Sequence, residues 1–341
     1  MRRLLSLPLL VLTSLAVGLL LIEGIYRWQL VDMYTAELHT FNPVQALQTR
    51  DKPSILIMGD SFTAGRTSYA SLVQEMLQEW RVVNAGVSGT GVLQALYMAP
   101  QRFATFRPSL FVYQVYVGND LFDLRYPTSG PAIAPLRKIY WWTANHLRVV
   151  SYLNYRLRQF QETWFVPPPL PSPSGSHAGA SPTSPETFNV AHYDSRTKLY
   201  FQAEPGLLED TILVQGARQQ DYALFLRQLT SLVQHCVPGV CRAMILVIPH
   251  VCQVDPAFMA YMRQLGARLT TPARLSNPDY PFLTRLREHF RAWPHVTMLN
   301  PLPMLRDAQA QQAVYYVHDE HLNPYGQQRL ATWLAPQLLH P

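Results

Sequence analysis

The chain has 341 residues, room for one large domain or two small ones, and its 48% apolar content is enough to bury a substantial core. A formal charge of +6 suits anionic surroundings such as lipid headgroups, or is simply an ordinary basic surface. With no compact Lys/Arg run, zinc-finger spacing or aromatic–basic interleaving, nucleic-acid binding has little support.

Arg2 and Arg3 precede nineteen uncharged residues, 4–22. As a helix this stretch spans about 28 Å, close to the hydrocarbon core of a bilayer. Pro8 either starts the regular helix or kinks its first turns. A cleaved signal peptide is the rival reading. The run, however, exceeds the usual apolar core and ends in Leu20-Leu21-Ile22-Glu23-Gly24 rather than in a small-x-small cleavage site. Residues 1–23 are therefore expected to be an uncleaved signal-anchor transmembrane helix. Its basic start faces the cytoplasm, and the rest of the chain lies outside the cytoplasmic membrane. Residues 24–50 read as a membrane-proximal stem.

A soluble domain over 51–341 opens with Ser54-Ile55-Leu56-Ile57-Met58, an apolar run between Pro53 and Gly59 that suits a buried strand. Helical spacing follows over 71–80, a short strand over 81–84, a helix over 92–106 and a third strand over 110–117. The pattern breaks at an insertion of about 125–210. It holds the aromatic segment 139–142, a helix near 147–165, and a Pro/Ser-rich tract at 166–185 that cannot bury enough apolar surface to fold alone. Alternation resumes with a helix over 217–235, a strand over 244–248, helical stretches near 256–268 and 279–292, a strand over 296–299 and a last helix over 324–338. Strands alternating with helices predict a parallel sheet covered on both faces, an α/β three-layer sandwich.

Cys236 and Cys241 flank the turn-like Val-Pro-Gly-Val. A short-loop disulfide in an oxidising space and a pair of buried thiols both fit, leaving Cys252 free. A metal site drawn from these cysteines with His235 and His250 lacks repeated ligand spacing.

Four segments at strand ends carry chemistry. Met58-Gly59-Asp60-Ser61-Phe62 follows the first strand, and Asn84-Ala85-Gly86-Val87-Ser88-Gly89 the second. Val117-Gly118-Asn119-Asp120 follows the third, and His318-Asp319-Glu320-His321-Leu322-Asn323-Pro324 precedes the last helix. Open α/β sheets bind ligands at the carboxyl ends of their strands. Gly-Asp-Ser alone is as readily a tight turn with a helix cap.

Taken together, the four blocks resemble the SGNH (GDSL-type) hydrolases, which supply Ser, Gly, Asn and His in that order, and in particular bacterial members with an N-terminal membrane helix. The likeness covers roughly 52–338 apart from the insertion. It implies a flavodoxin-like sheet, with Ser61 as nucleophile and His321 as general base. It also implies an oxyanion hole from the N–H groups of Ser61 and Gly89 and the side-chain amide of Asn119. Many members place the orienting Asp three residues before the histidine; here that position is His318. Asp319, two before, is the expected partner, with Glu320 the alternative. Asp60 and Asp120 are expected to hold the active-site loops.

The resemblance implies ester hydrolysis through an acyl-serine, needing neither metal nor organic cofactor. The same apparatus serves O-acyl transfer onto an envelope or exported glycan, and the fold alone serves as a carbohydrate- or lipid-binding scaffold. The expected substrate is an acylated small molecule, lipid or glycan, and the expected location is the inner membrane with the catalytic domain facing the periplasm or extracellular side.

Overall fold

The computed structural model describes residues 2–49, 51–128, 133–164 and 187–339. The chain divides into two compact units, Met1–Met33 with Ala134–Thr187, and Tyr34–Ile133 with Phe188–Pro341. This division differs from the boundaries expected from sequence. The first helix runs Arg2–Arg27, beyond residue 23. The stem separates, because residues 34–49 belong with the second unit. There Arg81 donates to the carbonyls of Ala46 and Leu47, and Asn42 bonds the backbone of Asn84. The insertion divides as well, since 188–210 also falls in the second unit. The tract 166–185 lies outside the described residues.

In the second unit five strands form one parallel sheet: β1 (Ser54–Met58), β2 (Arg81–Asn84), β3 (Leu110–Tyr116), β4 (Arg242–Ile248) and β5 (Val296–Leu299), in the order β2-β1-β3-β4-β5. Every residue of β1, β2 and β3 is buried, so these strands read as continuous runs rather than alternations. The order is that of the flavodoxin-like doubly wound sheet.

β1 connects to β2 in one direction, and every later crossover runs in the other. Right-handed crossovers then put helix Tyr69–Met76 on one face and helices Val92–Phe106, Arg218–Val233 and Pro281–Phe290 on the opposite one. The last helix, Pro324–Leu339, packs on Tyr69–Met76, while Arg218–Val233 packs on Val92–Phe106. The expected three-layer α/β sandwich is thus the observed architecture. Its topological switch point falls between β1 and β3, at the edge where the Ser61 and Asn119 segments emerge.

Cys236 and Cys241 form a disulfide just before β4, and Cys252 is free and buried. The first unit contains Arg2–Arg27 and two helices of the insertion, Pro135–His146 and Arg148–Trp164. Residues 7–27 are long and apolar enough to cross a membrane by length and composition.

Candidate active site

The segment carrying Ser61 leaves β1 as a turn closed by bonds from the Thr63 and Ala64 amides to the Asp60 carbonyl. Asp60 is buried, and its Oδ1 accepts the Phe62 N–H at 2.9 Å. Gln114, a polar residue inside the apolar strand β3, accepts from the Asp60 N–H at 3.1 Å and from the Thr63 hydroxyl at 2.9 Å. The turn carrying Ser61 is therefore pinned to the neighbouring strand from below.

His321 arrives from the far end of the chain. Its loop is held by an antiparallel bridge between Tyr315 and Leu322 and by the Tyr316 N–H donating to the His321 carbonyl at 3.1 Å. Asn323 then caps the last helix, its Oδ1 accepting from the Gly326 N–H at 2.9 Å, with Pro324 at the first helical position. Position 326 requires glycine, since a Cβ there would sit 2.1 Å from the Val314 carbonyl oxygen. One turn further on, Gln327 accepts from the Tyr69 N–H at 2.8 Å, tying this helix to the one that follows Ser61.

These constraints bring together side chains 260 positions apart. His321 Nε2 lies 2.6 Å from Ser61 Oγ. On the other side of the ring, Asp319 Oδ1 lies 2.5 Å from His321 Nδ1 and also accepts the His321 N–H at 3.1 Å. Burial disfavours the imidazolium, but the hydrogen bond and charge of Asp319, backed by the charges of Asp60 and Glu320, raise the pKa of His321 above its ordinary 6.5. Burial likewise acts to raise Asp319, yet the bond and charge of His321 hold it below 3.8.

The other predicted residues lie at the same edge of the sheet. Gly89 sits on an exposed loop after β2, with a φ of +68° that favours glycine and open space where a Cβ would stand. The β2 loop is laced to the Ser61 turn by the Val87 N–H donating to the Gly59 carbonyl at 3.0 Å. Asn119 is half-buried after β3, and its buried side-chain oxygen has no partner. Asp120 is buried and accepts the Tyr116 N–H at 3.1 Å. Burial pushes Asp60 up to about 6 and raises Asp120 well above the carboxylate range, with Asp60 and Asp123 adding like charge to Asp120. Neither aspartate bonds His321; both fasten loops.

Glu320 points away from the His321 ring. It accepts from the Tyr116 hydroxyl at 3.0 Å and lies 3.6 Å from Nε2 of the buried His250. His250 Nδ1 accepts the Cys252 N–H, which leaves the proton on Nε2, facing the carboxylate. The Phe62 ring packs between Tyr116 and His321, with centroids 4.4 and 4.9 Å away. Sequence reading singled out Glu320 and His250 only for other roles, and it missed Gln114 and Tyr116. The one local signal, for Gln114, is a polar residue inside an apolar strand. His318 faces outward, accepting the Asn189 N–H at 2.8 Å and stacking beside Phe188. Among the described residues no group of three His, Cys, Asp or Glu is arranged to hold a metal ion.

The chain matches no protein-family model and no curated protein sequence. Among solved structures it is similar to LAE5, an alpha/beta hydrolase enzyme from the metagenome of Lake Arreo, Spain, at 14% identity and a TM-score of 0.41, covering 86% of this chain and 99% of that one. A catalytic mutant of Axe2, an acetylxylan esterase from Geobacillus stearothermophilus, matches at 12% identity and 0.39, covering 84% and 94%. TesA matches at 13% identity and 0.39, covering 84% and 99%. At these scores the likeness carries no argument for this chain, whose fold rests on its own sheet order.

Proposed function

We propose that this chain is a serine ester hydrolase of the SGNH type working through an acyl-serine intermediate. The observation that carries this reading is the contact series Ser61 Oγ–His321 Nε2–His321 Nδ1–Asp319 at the carboxyl edge of a doubly wound sheet. His321 Nε2 takes the Ser61 proton as Oγ bonds to the ester carbonyl carbon. Asp319 fixes the tautomer and stabilises the imidazolium that forms. The N–H groups of Ser61 and Gly89 and the Asn119 amide receive the negative charge on the former carbonyl oxygen. Collapse breaks the C–O bond, and His321 returns the proton to the departing alcohol. Water then attacks the acyl-serine with His321 again as base, releasing the acid and restoring Ser61.

The proposed setting is the outer side of the cytoplasmic membrane, with the helix Arg2–Arg27 as anchor. The length and apolar composition of residues 7–27 support it, and so does the Cys236–Cys241 disulfide, a feature of oxidising compartments.

The test is hydrolysis of p-nitrophenyl acetate by the detergent-solubilised full chain. Ser61→Ala and His321→Ala are each expected to lower kcat/KM by roughly 10³-fold or more with an unchanged circular dichroism spectrum. Turnover retained in folded Ser61→Ala contradicts the proposal.

A further inference from the structure

The first unit carries a surface that ester chemistry does not use. Glu23, in the last two turns of the helix Arg2–Arg27, is buried. It accepts the N–H groups of Arg148 at 3.1 Å and Val149 at 2.8 Å, an acid placed on the first turn of the helix Arg148–Trp164. Arg27 pairs with Glu23 and donates to the His146 carbonyl at 2.9 Å, at the end of the helix Pro135–His146. Tyr26 and Tyr152 have ring centroids 6.1 Å apart, and Arg156 donates to the Met33 carbonyl. The two insertion helices are therefore fixed to the end of the apolar span.

At that end the apolar residues face outward. Leu136, Ile139 and Trp142, spaced three apart on one stripe of their helix, are 82%, 63% and 57% exposed, whereas Trp141 and Ala144 are buried. Trp28, Leu30 and Val31, directly after the long helix, are 76%, 65% and 60% exposed. Arg137, Lys138, Arg148 and Arg156 lie on the same two helices, and residues 134–157 contain no Asp or Glu. An apolar stripe with tryptophan, basic flanks and no acid is the pattern of a helix lying in the headgroup layer. A contiguous exposed apolar stripe of this kind marks an interaction or membrane surface.

We propose that the helix Pro135–His146 and residues 28–31 form a pad seated in the headgroup layer of a membrane, with anionic phospholipid as its ligand. This rests on the reading of Arg2–Arg27 as a membrane-spanning helix. Leu136, Ile139, Trp142 and Trp28 enter the acyl boundary, while Arg137 and Lys138 meet lipid phosphates.

The three native cysteines are paired or buried, so a single introduced cysteine in the full chain labels selectively. An NBD fluorophore is placed by Leu15→Cys in the span, Ile139→Cys in the pad or Arg291→Cys on the exposed surface of the other unit. Each protein is reconstituted into phosphatidylcholine vesicles with 30% phosphatidylglycerol. The expected result is strong iodide protection at position 15, none at 291, and at 139 a blue-shifted emission quenched by lipids nitroxide-labelled high on the acyl chain. Adding Arg137→Glu and Lys138→Glu is expected to red-shift the emission at 139 and to weaken its quenching by the labelled lipids at least threefold. Iodide access at position 15 overturns the spanning reading itself. Protection at 15 with water-like emission at 139 overturns the pad alone. A probe at 139 shielded from iodide but not quenched by labelled lipid overturns it in favour of contact with a second copy of this chain.

Discussion

Asp319→Ala separates the catalytic role proposed for the Asp319–His321 pair from its structural one. Asp319 Oδ1 receives both Nδ1 and the backbone N–H of His321, and the two side chains are 49% and 38% exposed. An ion pair this open to solvent contributes about 0–1 kcal/mol to stability, so the urea midpoint is expected to move little. The transition state is another matter, because there the imidazole becomes imidazolium and must hold one tautomer. Removing an orienting carboxylate from such an arrangement costs about 10³–10⁴ in kcat, or about 4–5.5 kcal/mol of activation free energy. The pH profile adds a signed test. His321 must be neutral to take the Ser61 proton, so its raised pKa puts the acid limb of kcat/KM above pH 6.5. Asp319→Ala removes the main raising partner, and the limb is expected to move toward lower pH. The assay is kcat/KM for p-nitrophenyl acetate from pH 5 to 9, run beside urea denaturation. If Asp319→Ala keeps its rate within threefold and its acid limb in place while Glu320→Ala abolishes turnover, the orienting acid is Glu320 and the assignment is refuted.

Glu320→Ala removes the acceptor of the Tyr116 hydroxyl and the carboxylate facing His250, both buried. It is expected to cost about 1–3 kcal/mol in urea unfolding, with Glu320→Gln recovering part of this. Gly89→Ala strains a backbone at φ +68° by about 1–2 kcal/mol while filling only open space. The chain should remain folded by circular dichroism and lose kcat rather than gain KM. Replacing Cys236 and Cys241 by serine opens a short loop before β4, at the sheet edge opposite the site. Stability should fall by about 2 kcal/mol with the rate of the folded fraction unchanged.

Much of the second unit is legible in the sequence because its signals are local. β2, β5 and the helix Val92–Phe106 fall where apolar spacing puts them, and β1 is a fully buried run bounded by proline and glycine. The helices Thr35–Phe41, Val44–Gln48, Val251–Val254 and Pro272–Leu275 span two turns or less, too short to show a period. The stem misleads for a related reason. Within the expected stem 24–50, residues 34–49 find their partners in Arg81 and Asn84, 34 to 42 positions on. At the site, Ser61, Asp319 and His321 are visible as blocks, but Glu320 is distinguished from Asp319 only by direction. One carboxylate turns to the His321 ring and its neighbour to Tyr116 and His250, partners that lie far from this block in sequence or are set by the fold.

The central claim is that His321 makes Ser61 a nucleophile. Peptide-mapping mass spectrometry of the full chain after treatment with a fluorophosphonate reads this at the atom concerned. The account predicts one phosphonyl adduct, on Ser61, formed at a rate that rises with pH through the His321 titration and at least a hundredfold slower in His321→Ala. A folded chain that leaves Ser61 unmodified, or labels it equally fast without the imidazole, contradicts the account.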